Sequence, residues 1–259
     1  MTTPPTSILS SVLNTSEIYD FTYTLEQIDI IKSIIKNPEK KFIIFDGIIG
    51  AGKTTLINLL YKYYNNECGL KTHPIYEPVD IWRDTGALQY FYGDIPQRCY
   101  EFQTFAVITR IKRIIDELLA NPNCDIYLLE RSVWSDKFIF VSLLEKLFGE
   151  TRMNMYMQWW NLWCSIIPIR PYKWVLLNTS VDESFNRINI RNRSEEKTGV
   201  SVDYQTELSQ KHIEFFEILK NDVNNEGKII MLDNKLMDMN FITNKQVLIK
   251  IADLILTQS

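Results

Sequence analysis

The sequence from residue 42 to residue 54 reads Phe42-Ile43-Ile44-Phe45-Asp46-Gly47-Ile48-Ile49-Gly50-Ala51-Gly52-Lys53-Thr54, and we begin from it because it constrains the rest of the chain. Its four leading apolar residues predict a buried strand, and the residues after Thr54 carry apolar side chains at helical spacing. The turn between them has the spacing G-x-x-x-x-G-K-[ST], in the strand–turn–helix context that this phosphate-binding motif requires. The stretch therefore predicts a nucleotide site.

The glycine-rich turn is the predicted ATP site. Glycine lets backbone N–H groups turn toward phosphate oxygens, and the N-terminus of the following helix adds positive potential. We expect Lys53 to reach the β- and γ-phosphates and the Thr54 hydroxyl to bind Mg²⁺. The residues of the turn predicted to bind ATP are Gly47, Ile48, Ile49, Gly50, Ala51, Gly52, Lys53, Thr54 and Thr55.

Short apolar runs alternate with helical stretches along the chain. The runs are Phe42–Phe45, Pro74–Tyr76, Ile126–Leu129, Trp174–Leu177 and Ile229–Leu232. The helical stretches are 54–65, 98–120, 135–148, 153–165, 181–193, 204–221 and 245–256. This alternation predicts a doubly wound α/β architecture, with a parallel sheet buried between two layers of helices.

The first 40 residues are predicted to form an extension before the domain. Residues 1–16 are rich in Ser, Thr and Pro, which is typical of a loose tail. Thr24 and Gln27 have capping-box spacing, and the apolar residues after them predict a short helix that ends at Asn37-Pro38. No linker divides the remainder, so we expect residues 41–259 to form a single domain.

Composition excludes several classes of protein. Hydrophobic residues make up 46% and charged residues 23% of the chain, which is typical of globular proteins. A net charge of −4 argues against a surface that coats nucleic acid. Four scattered cysteines and two histidines argue against a disulfide scaffold or a zinc site. The absence of a long apolar run, and of Lys or Arg before residue 32, predicts a cytoplasmic protein with no membrane or nucleic-acid partner.

Two carboxylates follow predicted strands. Glu77 comes after the second strand, where side chains point into the ligand crevice of α/β folds, and a carboxylate there could accept the proton of an attacking hydroxyl. Glu130 and Arg131 end the third strand and could serve a metal and a phosphoryl group together. An ordinary loop glutamate and a local ion pair are the alternatives, and the residues alone leave both open.

Further candidates lie on predicted helices. Arg187, Arg191 and Arg193 could form a flap over transferring phosphate, at about residues 187–200, or simply a solvated face. An aromatic-rich region with Gln103 and Arg110 at its edge could hold a nucleobase, although most of its rings suit a hydrophobic core. Asn234-Lys235-Leu236-Met237-Asp238 approaches the guanine-reading N-K-x-D, but its Asp falls one residue late, which argues against a switch GTPase.

Taken together, these motifs resemble the deoxynucleoside kinase family, the cellular and viral group of deoxycytidine, deoxyguanosine and mitochondrial thymidine kinases. The resemblance runs from about Lys41 to about Phe216. Its marks are the glycine-rich loop, Glu77-Pro78-Val79 with Trp82, Phe102-Gln103-Thr104-Phe105, Glu130-Arg131-Ser132 with Ser135-Asp136, and Arg187-x3-Arg191-x-Arg193-x-Glu195-Glu196. It implies a P-loop kinase fold with three layers, a five-stranded parallel sheet and an arginine-bearing lid. It also implies a homodimer that transfers the γ-phosphoryl group of ATP to a deoxyribose 5′-hydroxyl.

The resemblance also implies a role for each matching residue. Glu77 is similar to the general base, Arg131 to the group that orients it, and Lys53, Thr54 and Glu130 to the phosphate and Mg²⁺ set. Arg187, Arg191 and Arg193 match the lid arginines, Tyr92 and Glu196 the residues at the 3′-hydroxyl, and Gln103 the amide at the base edge. The pocket wall would comprise Ile49, Val79, Trp82, Leu88, Phe102 and Phe140.

Base preference follows from three further positions. Arg110, Asp136 and Ala106 resemble their counterparts in the deoxycytidine and deoxypurine kinases. Asp136 can accept a hydrogen bond from an exocyclic amine, whereas the O4 carbonyl of thymine would face it with a second acceptor. We therefore expect nucleotide salvage with deoxycytidine or a deoxypurine nucleoside favoured over thymidine. Asp46 stands where many relatives have Glu.

Two other functions remain open at this point. A nucleoside-monophosphate or thymidylate kinase would need an extra cation for the acceptor's phosphate, which Arg83 or Arg98 could supply. A regulatory nucleotide-binding module would need little catalysis, and the presence of Glu77 and Glu130 argues against it.

Overall fold

The computed structural model describes residues 23–191, 199–233 and 241–257. Within them, five parallel strands form one sheet with the order β2-β3-β1-β4-β5. The strands are β1 Lys41–Asp46, β2 Thr72–Ile75, β3 Ile126–Glu130, β4 Lys173–Leu177 and β5 Ile229–Leu232. The predicted sheet is thus confirmed.

Helices cover the sheet and connect its strands. They are α1 Leu25–Lys36, α2 Lys53–Asn66, α3 Val79–Asp84, α4 Ala87–Gly93, α5 Ile95–Ala120, α6 Val133–Ser135, α7 Ser142–Ile166, α8 Val181–Arg191, α9 Val202–Asn221 and α10 Lys245–Leu256. A π-helical segment, Asp136–Val141, joins α6 to α7. The architecture is that of a P-loop kinase.

Three local features differ from the sequence prediction or refine it. Helices α3 and α4 were not predicted, because six and seven residues are too few to show a helical period. Helix α5 begins at Ile95 rather than Arg98, since the Asp94 side chain caps it by accepting from the Gln97 amide. The two helices predicted on either side of residue 149 meet at Gly149, whose φ of 68° breaks the helical path.

The register of the sheet brings the functional residues to one edge. Phe45 of β1 lies opposite Glu130 of β3, and Ile75 of β2 lies opposite Leu129. Because all strands are parallel, the glycine-rich turn, Glu77 and Arg131 leave the sheet at the same carboxyl edge, which is where α/β folds bind ligands. Strands β1, β3 and β4 are buried almost along their whole length, as expected for a sheet covered on both faces.

The predicted N-terminal helix is present and packs against the domain. Thr24 and Gln27 form the expected capping box, and Ile31, Ile34 and Ile35 join the hydrophobic core. Just before the helix, the Tyr23 hydroxyl donates to Asp116 of α5 at 2.8 Å.

Several sequence predictions fall outside the described residues. These are the loose tail, Arg193 and Glu196 of the predicted lid, and the near-match at residues 234–238. Among the helices that are described, none has both the length and the apolar character needed to cross a bilayer. The cytoplasmic location stays a prediction.

Candidate active site

The glycine-rich loop is shaped by close backbone contacts that exclude side chains. Gly47 and Gly50 have φ values of 146° and 83°. A Cβ atom at Gly47 would lie 2.7 Å from the Leu177 carbonyl oxygen, and one at Gly50 would lie 2.6 Å from that of Ser184. Glycine is therefore required at both positions for steric as well as conformational reasons.

Lys53 lies buried in the loop that it would use to bind phosphate. Its Nζ donates to the carbonyl oxygens of Gly47 at 3.0 Å and Ile48 at 3.1 Å. Burial and the nearby Arg131 guanidinium lower the pKa of Lys53 to about 8, although neighbouring carboxylates oppose the shift. The lysine is thus held in place with its charge only partly compensated, in a form suited to an anionic ligand.

Thr54, in the first turn of α2, contacts Glu130 at the end of β3. The Thr54 Oγ1 lies 2.8 Å from Oε1 of Glu130 and 3.1 Å from Oε2. A hydroxyl and a carboxylate side by side are hard oxygen ligands of the kind that Mg²⁺ prefers, and Mg²⁺ commonly takes its remaining ligands from water and substrate phosphates. The two residues therefore fit the predicted metal ion.

On the other side of the sheet edge, two carboxylates share the Arg110 guanidinium. Its Nε and Nη2 donate to both oxygens of Asp136, at 2.8 and 2.9 Å, and Nη2 also donates to Glu77 Oε1 at 2.8 Å. A fourth bond runs from Nη1 to the Glu130 carbonyl oxygen at 3.2 Å. Burial alone would lower the pKa of Arg110, but the charges of Asp136 and Glu77 raise it above its ordinary value.

A second guanidinium, that of Arg131, lies against the same carboxylate. Its Nε is 3.3 Å from Glu77 Oε1, and its Nη1 is 3.6 Å from Asp46 Oδ1. Burial would raise the pKa of Glu77, but Arg131, Arg110 and Lys53 together lower it to about 2. Glu77 is therefore ionised at neutral pH. The Arg131 backbone has a φ of 65°, a left-handed conformation shared by no other non-glycine residue in the described ranges.

A cavity of about 380 Å³ joins the loop to this charged cluster. Aromatic rings form part of its wall: the Phe91 and Phe102 rings stack with centroids 4.5 Å apart, and the Trp82 ring meets Phe102 edge-on at 5.5 Å. Flat apolar walls with charged groups at one end suit a nucleobase. The predicted residues that line the cavity are Ile49, Gly50, Val79, Trp82, Leu88, Tyr92, Phe102, Gln103, Ala106, Arg110, Asp136 and Phe140, together with Lys53, Thr54, Glu77, Glu130, Arg131 and Arg191.

The described part of the predicted lid contacts the glycine-rich loop. Arg187 donates from Nη1 to the Ala51 carbonyl at 3.2 Å and pairs with Glu183 at 2.9 Å, so it braces the loop rather than lining the cavity. Arg191 lines the cavity. Gly199 lies so close to the Tyr92 ring that no side chain would fit there.

Several residues of the site were not predicted from the sequence. Ser135 donates to Asp46 Oδ2 at 2.8 Å, His212 contacts Arg131, and Tyr204 lines the cavity. No local motif marks these contacts, because the partners are 89 and 81 residues apart in the two hydrogen bonds.

Comparison with known proteins identifies the family. The deoxynucleoside kinase family model matches residues 43–257. The chain belongs to the deoxynucleoside kinase family. It is a kinase, a phosphotransferase that acts on a nucleoside.

Relatives of this deoxynucleoside kinase occur in viruses and animals. It is 33% identical over 205 residues to a probable deoxycytidine kinase of fowlpox virus, a match that covers 75% of this chain and 83% of the viral protein. It is 27% identical over 197 residues to mouse deoxycytidine kinase, covering 66% and 74%. It is 26% identical over 200 residues to the mitochondrial deoxyguanosine kinase of Xenopus laevis, covering 68% and 73%.

The two cations considered for a monophosphate acceptor differ in position. Arg98 donates to the Tyr90 carbonyl at 2.9 Å and lies over the Tyr90 ring. Arg83 reaches the cavity wall but pairs with Asp84 at 3.3 Å. The family match, rather than these contacts, favours a nucleoside over a nucleoside monophosphate as acceptor.

Proposed function

We propose that this kinase transfers the γ-phosphoryl group of ATP to the 5′-hydroxyl of a deoxynucleoside, and that it prefers deoxycytidine or a deoxypurine nucleoside to thymidine. Its role would be nucleotide salvage, which supplies DNA precursors. The observation that carries the proposal is the buried Arg110–Asp136 pair at one end of an aromatic cavity whose other end opens on the glycine-rich loop. That arrangement offers separate places for a base and for a triphosphate.

The loop end would hold the donor. Backbone N–H groups of residues 47–54 and the Lys53 ammonium would bind the phosphates, and Arg191 with Arg193 would approach them from the lid. Thr54 and Glu130 would hold Mg²⁺, which offsets phosphate charge when bound. Arg187, in contact with Ala51, would keep the loop in shape.

The charged end would hold the acceptor and its proton. Glu77 is ionised and lies beside Arg131, so it can accept the proton of the 5′-hydroxyl while Arg131 faces the transferring group. Two guanidiniums make Glu77 a weak base in the ligand-free protein. A nucleobase that accepts a hydrogen bond from Arg110 would weaken the bond from Arg110 to Glu77 and so raise the pKa of the Glu77 carboxyl. Binding of the acceptor nucleoside would thus make Glu77 a stronger proton acceptor. Tyr92 and Glu196 would bind the 3′-hydroxyl.

Base choice would rest on Asp136, Arg110 and Gln103. An exocyclic amine can donate to Asp136, whereas thymine would present a carbonyl to a buried carboxylate and leave both acceptors unsatisfied. Ala106 leaves room beside the base but does not separate cytosine from the purines. Phe102, Trp82 and Leu88 would sandwich whichever base is bound.

We also propose that the chain acts as a homodimer, with residues 41–259 as its kinase domain and residues 1–40 as an extension. The dimer is supported by an exposed apolar stripe on α7. Its members are Met155, Trp159, Leu162 and Ile166, each 45–50% exposed and spaced to share one helix face. Sedimentation equilibrium should give a dimer that Trp159→Glu converts to a monomer. The control Ile218→Glu, at another exposed apolar site, should leave a dimer, and a monomeric parent protein would refute the dimer.

The proposed activity is tested by a substrate panel. With ATP and Mg²⁺, at least one of deoxycytidine, deoxyadenosine and deoxyguanosine should be phosphorylated with a kcat/KM about 10²-fold above that of thymidine, as expected for one mismatched buried acceptor. The control acceptors dCMP and dTMP should be poor substrates. Preference for thymidine would refute the assignment of the base site, and preference for a monophosphate would refute the nucleoside acceptor.

A further inference from the structure

His212 on α9 contacts the guanidinium of Arg131 without itself lining the cavity. The distance from Arg131 Nη1 to His212 Nε2 is 3.2 Å, shorter than the 3.6 Å from the same nitrogen to Asp46 Oδ1. The guanidinium also lies 4.6 Å from the centre of the Phe140 ring. Arg131 is thus oriented by groups on three different elements, in addition to the carboxylate of Glu77.

The second ring nitrogen fixes the tautomer of His212. Nδ1 lies 2.7 Å from the Leu208 carbonyl oxygen, one turn earlier on α9. A carbonyl can only accept, so Nδ1 carries the hydrogen and donates it. Nε2 of a neutral imidazole therefore has a free lone pair, and it points at Nη1 of Arg131.

The surroundings keep this imidazole neutral. His212 is 2% exposed, and the cations Arg131 and Lys53 lie near it. Burial first, and then these two charges, lower the pKa of His212 well below its ordinary range, while the carbonyls of Leu208 and Gly47 oppose the shift only in part.

A neutral acceptor has a specific advantage at this place. Asp46 and Glu77 already place carboxyl groups beside this guanidinium. A further carboxylate in the place of His212 would orient Nη1 equally well, but it would cancel more of the positive charge that a transferring phosphoryl group needs. An imidazole nitrogen orients the same N–H and adds no negative charge. The left-handed backbone of Arg131 makes such support necessary, because a residue in that conformation persists only where its surroundings hold it.

We propose that His212 is a positioning residue, which holds the Arg131 guanidinium in its catalytic orientation through a hydrogen bond from Nη1 to its unprotonated Nε2. The inference rests on the function proposed above for Arg131. It assigns His212 no contact with substrate.

Two substitutions separate this role from simple packing. In His212→Asn, the side-chain amide nitrogen can replace Nδ1 toward Leu208, but no atom reaches Arg131. In His212→Gln, the longer side chain can place its carbonyl oxygen near the position of Nε2 and accept from Arg131. We expect Asn to lower kcat about 10- to 100-fold, with the nucleoside KM changed less than about threefold, and Gln to restore kcat to within about threefold of the parent. If a thermal unfolding measurement shows that His212→Asn is not folded, His212→Met replaces it, because methionine has a similar volume to histidine and no strong hydrogen-bond acceptor.

A double-mutant cycle shows whether His212 acts through Arg131. In an Arg131→Lys background, the guanidinium is gone, so His212→Asn should change kcat by less than about threefold. An equal loss of kcat in His212→Asn and His212→Gln would show a packing role and overturn the inference. So would the same loss of kcat from His212→Asn in the parent protein and in the Arg131→Lys background. If Arg131→Lys lowers kcat while His212→Asn does not, the inference alone is wrong. If Arg131→Lys leaves kcat unchanged, the role proposed for Arg131 is wrong, and that of His212 with it.

Discussion

The donor end and the acceptor end of the cavity are built in different ways. The phosphate-binding loop at the donor end is one continuous turn, residues 47–54, whose lysine bonds to carbonyls five and six residues away. The acceptor end collects its charged groups from five separate elements or their ends, and its bonds join residues 26 and 33 positions apart. The loop is local in sequence, although Glu130 and Arg187 reach it from other elements, whereas the whole acceptor end depends on the tertiary fold.

This difference determines how each end handles charge. At the donor end the buried Lys53 ammonium is only partly compensated by neighbouring carboxylates. At the acceptor end the charges of Glu77 and Asp136 are already compensated by Arg110 and Arg131. We therefore expect the activity to depend on the protonation of Lys53 at the donor end, and on substitutions of the ion-paired residues at the acceptor end.

Of the two changes that compare the two ends, the larger effect is expected from replacing the ion pair at the acceptor end. The double variant Arg110→Met with Asp136→Ala removes both buried charges at once, because either change alone would leave an uncompensated ion. We expect the ratio of kcat/KM for deoxycytidine to that for thymidine to fall by about 10²-fold, since the mismatch with thymine disappears. Competition between the two nucleosides measures this ratio.

A matched control lies on the same helix. Lys112→Met with Asp116→Ala removes an exposed pair of α5, whose charges are about half solvated, and it should change the ratio less than about threefold. An unchanged ranking of bases in the Arg110/Asp136 variant would show that this pair does not select the base, and would weaken the contrast drawn between the two ends.

A smaller effect is expected from pH at the donor end. The pKa of Lys53 is lowered to about 8 in the ligand-free protein, and the charged form is the one that binds phosphate. The kcat/KM for ATP should therefore fall above about pH 8, by about tenfold for each further pH unit. The fall in kcat at saturating ATP should begin at higher pH, because bound phosphates favour the protonated lysine.

The acceptor end should add no pH dependence of its own to kcat/KM below neutral pH. With a pKa of about 2 in the free protein, Glu77 gives no acid limb in kcat/KM between about pH 5 and 7. Lys53→Arg provides the control, since its guanidinium stays charged and the alkaline limb should disappear even if activity is low. A flat profile for the parent protein from pH 7 to 10 would contradict the proposed state of Lys53.

The same contrast explains what the sequence could predict. The strands, the glycine-rich loop and the separation of the helices at 135–148 and 153–165 each depend on contiguous residues. Pattern and spacing were therefore enough to predict them. Thr54 and Glu130, the pair proposed to hold Mg²⁺, were predicted from the loop motif and from a strand end. The roles of Arg110 and Asp136 came from resemblance to the family, because no local pattern shows that residues 26 positions apart share a bidentate bond.

Other features could not be predicted for physical reasons. Side-chain direction decides whether a helical arginine faces phosphate or braces a loop, and Arg187 does the latter. His212 had no sequence signal at all, because a lone buried histidine on a helix is usually part of the core. Its contact with Arg131 depends on how α9 packs against the end of β3.

The most direct test of the account is the Glu77→Gln variant. This change keeps the shape of the side chain and removes the carboxylate that would accept the 5′-proton, so kcat should fall by about 10²- to 10⁴-fold. The dissociation constant of the preferred deoxynucleoside, measured by calorimetry, should change less than about threefold. The control Glu101→Gln, at an exposed position of α5, should retain parent activity. A Glu77→Gln enzyme that turns over at nearly the parent rate would contradict the assignment of Glu77 as the base.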